Sequence, residues 1–176
     1  MTDKNTNNQI VKLSSSTIGR YSNALVRRAI DELSKSPINQ IDNLKIGDNV
    51  LVKAIPSKQH LHQEESLNID YKLYTRVSVT GYQILKEPIY KGFQIKDLDI
   101  RNQHTDTETM NGKQYRVITI KKVVLFAMQS GNMKITPLEV RVSINVLFKQ
   151  QGTHKNVQEV ETVIKSNSLE INVEKF

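Results

Sequence analysis

Alternation of apolar and polar residues dominates the chain from about residue 49 onward. In "LEVRVSINV" (138–146), every second residue is apolar. Successive side chains of a strand point to opposite faces, so this period predicts strands with one buried and one solvated face. A longer run, 66–79, follows the same rule, and we expect it to bend or break near Gly81. Its apolar phase contains Leu67, Ile69, Tyr71, Leu73, Thr75, Val77 and Val79.

Turn signals and a change of phase mark the neighbouring strands. Asn111-Gly112 lies between two extended segments, and this pair favours a hairpin turn whose two central residues have positive φ. In "YRVITIKKVVLF" the apolar phase changes at Lys121-Lys122, which predicts a β-bulge or a strand covered on both faces. In total, roughly seven to nine strands without helical crossovers indicate a mainly β protein, an antiparallel sandwich.

The first 45 residues follow a different pattern. Residues 1–18 are polar and predict a disordered tail, whereas 19–45 predict a short N-terminal helix (22–35) and a linker. The sandwich is expected to occupy 46–176, and its last strands, 157–174, either form its edge or lead into a further domain. The apolar stripe of the helix consists of Val26, Ile30 and Leu33.

Composition and charge limit the classes of partner. The 176 residues are 38% hydrophobic and 24% charged, which indicates a globular rather than a disordered chain. The net charge of +7 raises nucleic acid and anionic membranes as partners. However, the basic residues are scattered along the polar phases of strands, which favours solvated faces. The absence of cysteine excludes disulfides and thiolate chemistry. With neither a signal-peptide core nor a run of ~20 apolar residues, we expect a soluble chain without a membrane span.

No pattern of catalytic residues emerges from the chain. "KQHLHQEES" could supply metal ligands from His60, His62, Glu64 and Glu65, but a solvated connection is favoured because no third ligand is fixed by spacing. The "RNQHTDTE" segment is interpreted as a charged approach to the hairpin rather than an acid/base cluster. No nucleophile elbow or phosphate-binding glycine motif is present. We therefore predict a protein that is not an enzyme and holds no cofactor or metal.

The polar phase of 66–79 contains the most suggestive pair of residues. Tyr74 and Arg76 are expected to face solvent together, and they could contact a protein, a glycan or a strand of nucleic acid. The alternative is a surface pair that only stabilises the sheet.

Several segments, in order and spacing, resemble the BatD (oxygen tolerance, or aerotolerance) family in its Bacteroidetes form. The resemblance covers about 49–174. It is carried by "YKLYT" at 71–75, Gly92-Phe93, Asn111-Gly112 with Tyr115, and Leu125-Phe126 followed by Ser130-Gly131. The sequence departs from the family at two positions. Gln94 replaces an aromatic residue after Gly-Phe, and Ala127 replaces a proline after Leu-Phe.

The resemblance implies an immunoglobulin-like β-sandwich outside the cytoplasm, in the periplasm. Full-length family members are anchored in the membrane, so the chain is expected to be part of an ectodomain or a soluble relative. The implied partners are von Willebrand A-type membrane proteins of the same operon, with no small-molecule substrate and no nucleic acid. Such a partner can present a metal to a carboxylate of its ligand, here Asp97, Asp99 or Glu108.

The expected function is therefore a non-enzymatic protein–protein interaction module. Tyr74, Arg76, Asp97, Asp99 and Glu108 form its candidate interaction surface. A glycan- or peptidoglycan-binding sandwich is the first alternative, and a basic nucleic-acid-binding protein is the second. In a further alternative, helix 22–35 is a docking or dimerisation element and the sandwich is structural.

Overall fold

The computed structural model describes residues 46–100, 104–149 and 155–176. The predicted tail at 1–18 and helix at 22–35 lie outside these ranges, so both stay predictions, as does the division into domains. The described chain forms one helical turn and eleven strands. These are α1 (Ile46–Asn49), β1 (Val50–Pro56), β2 (His60–His62), β3 (Ser66–Thr75), β4 (Ser78–Lys86), β5 (Phe93–Asp97), β6 (Asp106–Met110), β7 (Lys113–Ala127), β8 (Gly131–Ile135), β9 (Glu139–Lys149), β10 (Lys155–Lys165) and β11 (Leu169–Glu174).

The strands form three sheets. Sheet I has the order β1–β3–β7, and both β5 and β6 pair with the far edge of β7. Sheet II has the order β10–β9–β4, and sheet III has the order β2–β11–β8. The pairing of β2 with β11 is parallel, and the others are antiparallel. Antiparallel strands can be joined by short turns, and their sheets often have one buried and one solvated face. An alternating sequence with regularly spaced turns is typical of such sheets.

Sheets II and III are consecutive parts of one bent hairpin. Its first arm runs through β8 into β9, and its second arm runs through β10 into β11. At the bend the Leu138 N–H donates to Ser166 Oγ (3.0 Å), and the Ser166 N–H donates to the Leu138 carbonyl (2.9 Å). These bonds satisfy backbone groups where the regular ladder is interrupted.

One buried cluster includes residues of all three sheets, so the predicted antiparallel sandwich is confirmed. It contains the predicted inward phases of both 66–79 and 138–146. Its members from these segments are Leu67, Ile69, Tyr71, Leu73, Val77, Val79, Leu138, Val140, Val142 and Ile144. Burial of these side chains is the main favourable term in the folding free energy.

The expectation of one strand through 66–79 is wrong, but the expected irregularity near Gly81 is present, because β4 shifts its register against β9 between Val79 and Gly81. The chain leaves sheet I after Thr75 and enters sheet II at Ser78. The Thr75 hydroxyl donates to the Val77 carbonyl (2.7 Å) and accepts from the Val77 N–H (3.1 Å), which stabilises the turn. The alternation continues through this turn because both strands face the same core.

The predicted bulge and hairpin turn are both confirmed. β7 pairs with β3 through Thr119 and through Lys121, and Ile120 between them has no opposite residue. The bulge therefore lies one residue before the predicted position, and it shifts the buried phase from Ile118 and Ile120 to Val123, Leu125 and Ala127. At the tip of the β6–β7 hairpin, Asn111 and Gly112 have φ values of 50° and 73°.

Candidate interaction surface

Tyr74 does not face solvent, so its predicted exposure is wrong. It lies on the outer face of sheet I, where Leu51 of β1 and Val117 of β7 are its cross-strand partners. Only 2% of Tyr74 is exposed. Its ring meets the Tyr115 ring edge-on, with the centroids 6.3 Å apart. A second small core therefore covers part of a face that the alternation predicts to be polar.

The β6–β7 hairpin buries this part of the face. Glu108 of β6 reaches over to β3, where its Oε2 accepts a hydrogen bond from the Tyr74 hydroxyl (3.0 Å). Met110 reaches farther, and its sulfur lies 2.8 Å from Nζ of Lys53 in β1. The tyrosine cluster, as we call this core, consists of Tyr74, Tyr115 and Val117 with the partly buried Leu51 and Met110.

Glu108 connects the hairpin to β3 electrostatically. Besides Tyr74, it binds Lys72, whose Nζ is 3.0 Å from Glu108 Oε1. Burial alone would raise the pKa of Glu108, but the hydrogen bonds from Lys72 and Tyr74 outweigh it, so the pKa is lowered. For Tyr74, burial first and then the Glu108 carboxylate raise the pKa. At neutral pH the pair is therefore a phenol donating to a carboxylate.

Cations surround the tyrosine cluster. Arg76 follows β3, and its backbone N–H donates to the Asn49 carbonyl (2.8 Å) while its guanidinium carbon lies 5.9 Å from the Tyr115 ring centroid. The Lys53 ammonium lies 5.4 Å from the Tyr74 ring centroid. Both distances fall in the range of cation–π contacts. We call Lys53, Lys72 and Arg76 the cationic rim.

Three of the five candidate residues therefore lie together, and two do not. Tyr74, Arg76 and Glu108 meet at the hairpin, whereas Asp97 ends β5 and Asp99 follows it. Since β5 and β6 pair with different parts of β7, Asp97 and Glu108 are about 25 Å apart along that strand. Lys53 and Tyr115 also belong to this site but were not among the candidate residues, although a tyrosine just after the Asn-Gly turn was a usable signal.

Asp97 belongs to a second polar cluster, next to the bulge. Its Oδ1 lies 2.7 Å from Nζ of Lys121, which also pairs with Glu87 (3.2 Å). Burial would lower the pKa of Lys121, but these carboxylates outweigh it and the pKa is raised. Nearby, the Tyr90 hydroxyl donates to the Tyr71 hydroxyl (3.2 Å), and burial raises the pKa of Tyr71 to about 12.

The histidine-containing segment forms a tight turn. His60 and His62 are exposed on β2, and Glu65 accepts hydrogen bonds from Lys58 and from the His62 N–H (2.8 Å). The His62 ring stacks on Phe176 with the centroids 5.9 Å apart. In the part of the chain that the structure describes, no three histidine or acidic side chains are grouped as metal ligands. Nor does any helix there have the length and apolarity to cross a membrane.

The described tyrosines offer no ring face to a sugar or a base. All five are buried, which weakens the glycan-binding and base-stacking interpretations. They are Tyr71, Tyr74, Tyr82, Tyr90 and Tyr115.

A comparison with protein families assigns the chain. A family model described as the BatD DUF11-like domain matches residues 54–173, from within β1 to within β11. The chain belongs to the BatD family. This confirms the resemblance, and the match includes the residues of β3, β6 and β7 that form the tyrosine cluster, whereas Leu51 and Lys53 of β1 precede it. Neither a curated protein nor a solved structure matches the chain.

The structure accounts for the Gly-Phe motif of this BatD chain and for one of its departures. Gly92 has a φ of 89°, and a Cβ there would lie 2.6 Å from the Met133 sulfur. The Ala127 N–H donates to the Glu65 carbonyl (3.0 Å), a bond that proline could not make. The other departure, Gln94, lies opposite Phe126 in the β5–β7 ladder.

Proposed function

We propose that this BatD domain is a non-enzymatic protein-interaction module in the extracytoplasmic, periplasmic part of an aerotolerance-associated membrane protein. Membership of the BatD family supports the link to aerotolerance, the membrane protein and the periplasm. The cationic rim supports the interaction role, and we propose it as the docking surface.

Lys53 is the main support for the cationic rim as the docking surface. Among the described residues its ammonium has no carboxylate within ion-pair distance, and its neighbours are the Met110 sulfur and the Tyr74 ring. A thioether is a weak acceptor, so this partly buried cation can still accept a carboxylate from a partner. Arg76 lies at the same cluster, and its planar guanidinium suits carboxylate recognition. The rim therefore favours an acidic segment of a partner protein.

The polar clusters support a binding role rather than catalysis. Glu108 is neutralised by Lys72, and Asp97 by Lys121. The raised pKa of Tyr71, about 12, keeps this phenol protonated at neutral pH. General acid–base catalysis works best with groups whose pKa lies near the working pH. We accordingly propose a role that requires no cofactor, metal, small-molecule substrate or nucleic acid.

For the partner we propose a von Willebrand A-type membrane protein of the same operon, on the basis of the BatD resemblance. If such a partner presents a metal ion, Asp97 is a more accessible ligand than Glu108. The Asp97 side chain is 72% exposed, whereas Glu108 is held by both Lys72 and Tyr74. Asp99 is exposed next to Asp97.

The test is a binding measurement with the purified von Willebrand A-type domain. Lys53→Glu combined with Arg76→Glu reverses the rim charge, and we expect it to weaken association by about tenfold or more. Lys91→Glu combined with Lys134→Glu makes the same change at exposed positions elsewhere and should bind like the wild type. Thermal unfolding of each variant checks the fold. Equal weakening by both pairs would remove the rim as the docking surface, and no binding by the wild-type chain would refute the proposed partner.

A further inference from the structure

Most strand edges of the described sandwich are blocked or irregular. The edge strand β4 carries two register shifts against β9. The outer edge of β1 ends in Pro56, and the Asn167 side chain bonds both the N–H (2.9 Å) and the carbonyl (3.0 Å) of Ala54. β2 has three residues, and Tyr90 bridges to Ile135 at the edge of β8. Such features prevent an edge from pairing with another strand.

β10 differs from these edges. It has eleven residues and pairs with β9 without a register shift. Within the described ranges, β9 is its one ladder partner. Val163 of β10 is 53% exposed, although it is a large apolar residue. A long regular edge with an exposed apolar side chain is a template for a further strand.

The sequence of β10 is complementary to itself when two copies pair antiparallel. When two copies meet around a two-fold axis at Thr162, Glu159 of each copy lies opposite Lys165 of the other. In the same register, the core-facing Val160 lies opposite Ile164. Opposite charges on directly facing residues stabilise a strand pair, and like charges destabilise it. Glu159 and Lys165 are both exposed, and each also has a partner in its own chain. Glu159 accepts a hydrogen bond from the Thr80 hydroxyl (2.7 Å), and Lys165 pairs with Glu139 (3.1 Å).

We propose that this chain forms a homodimer through β10, in which the two copies of sheet II join into one six-stranded sheet. A two-fold axis gives the same patch on both copies, which is the commonest symmetry of soluble oligomers. The charges favour a second copy because glutamate and lysine face each other on both sides of the axis in this register. This surface is on sheet II, so it is separate from the cationic rim on sheet I.

Sedimentation equilibrium of the full chain tests the dimer. Because the interface is small, we expect a dissociation constant on the order of 100 μM. Glu159→Lys places two lysine pairs across the axis, and Lys165→Glu places two glutamate pairs there, so each should weaken the dimer about tenfold. The double swap restores both pairings and should return the constant to within about threefold of the wild type. Glu170→Lys, an exposed site on β11, is the matched control and should have no effect.

Cross-linking provides a second measurement of the same register. The chain has no cysteine, so Thr162→Cys creates a single thiol that meets its own copy at the proposed axis. Facing Cβ atoms on paired strands lie about 4.5–5.5 Å apart, close enough for a disulfide to form after a small adjustment. We expect mild oxidation to give a covalent dimer of Thr162→Cys at concentrations at which Glu170→Cys gives little.

The outcomes separate this proposal from the proposed function. A wild-type chain that stays monomeric at millimolar concentration overturns the dimer. A dimer that neither single swap weakens overturns β10 as its interface. A double swap that does not recover overturns the register. The rim variants leave β10 unchanged, so if they lose only partner binding, the proposed dimer still stands. If the β10 variants lose only dimerisation, the proposed docking surface still stands.

Discussion

The outer faces of sheets I and II arise from similar alternating sequences, but they have different structures. On sheet II the face is polar, with Arg141 of β9 pairing with Glu161 of β10 (3.3 Å) and donating to Gln83 of β4 (3.2 Å). On sheet I the corresponding phase of β3 contains Tyr74, which is as buried as the main core. Alternation along one strand therefore identifies its two faces but not what covers the second one.

The difference originates in a hairpin far along the chain from β3. β6 lies beside β7 in sheet I, and its Glu108 and Met110 side chains reach back over the outer face to β3 and β1. In the described part of sheet II, β9 is flanked by β10 and β4 alone, and its outer polar groups bond one another. The sheet I face thus contributes to stability, while its cationic rim is the proposed docking surface.

The largest expected effect comes from truncating the buried ring. Tyr74→Ala should lower the free energy of unfolding by about 3–5 kcal/mol, because it removes a packed aromatic ring and leaves a cavity. Gln83→Ala on the other face should change it by less than about 0.5 kcal/mol. Urea unfolding measures both values. Equal effects would mean that the two faces do not differ in packing.

A smaller difference is expected for the two glutamates. Glu108→Ala leaves the Tyr74 hydroxyl without its acceptor, which should cost about 1–3 kcal/mol. Glu161→Ala breaks an ion pair on the outer face of sheet II, and such pairs contribute about 0–1 kcal/mol. Denaturant unfolding at low salt compares the two variants. A larger loss for Glu161→Ala would reverse the comparison.

The pH dependence of stability sharpens the contrast further. The pKa of Glu108 is lower in the folded chain than the ordinary 4.5, so its contribution is present above about pH 4.5 and is lost as the pH falls through the lowered value. Glu108→Gln should therefore flatten the acid side of the stability curve, and Ser143→Ala on sheet II should not. Unfolding midpoints between pH 2 and 7 test this, and an unchanged acid side in Glu108→Gln would contradict it.

The smallest effect is expected at Arg141, a partly exposed arginine of sheet II. Arg141→Gln removes one ion pair at the surface and should change the free energy of unfolding by at most about 0.5–1 kcal/mol. The same measurement in 1 M salt should reduce even this difference, because surface pairs are screened. A change above 2 kcal/mol would show that the sheet II face is packed in the way that the sheet I face is.

Sequence patterns predicted the features that depend on neighbouring residues. The Asn111-Gly112 turn and the bulge in β7 follow from local backbone preferences and from the period of apolar residues, and both are confirmed. The break after Thr75 was missed because the alternation continues unchanged through the turn. The burial of Tyr74 was missed because it depends on Glu108, which is distant in the chain. The Asn167 contact with Ala54 is equally non-local.

The central claim is that side chains of β6 bond to β3 across the outer face of sheet I. A double-mutant cycle on the hydrogen bond between Tyr74 and Glu108 tests it most directly. The cycle compares Tyr74→Phe, Glu108→Ala and the double variant in urea unfolding, because a glutamine could still accept the hydrogen bond from the Tyr74 hydroxyl. A hydrogen bond to a charged group predicts a coupling energy of about 1.5–3 kcal/mol. A coupling energy near zero would show that the hairpin and β3 are energetically independent, which contradicts the closed face described above.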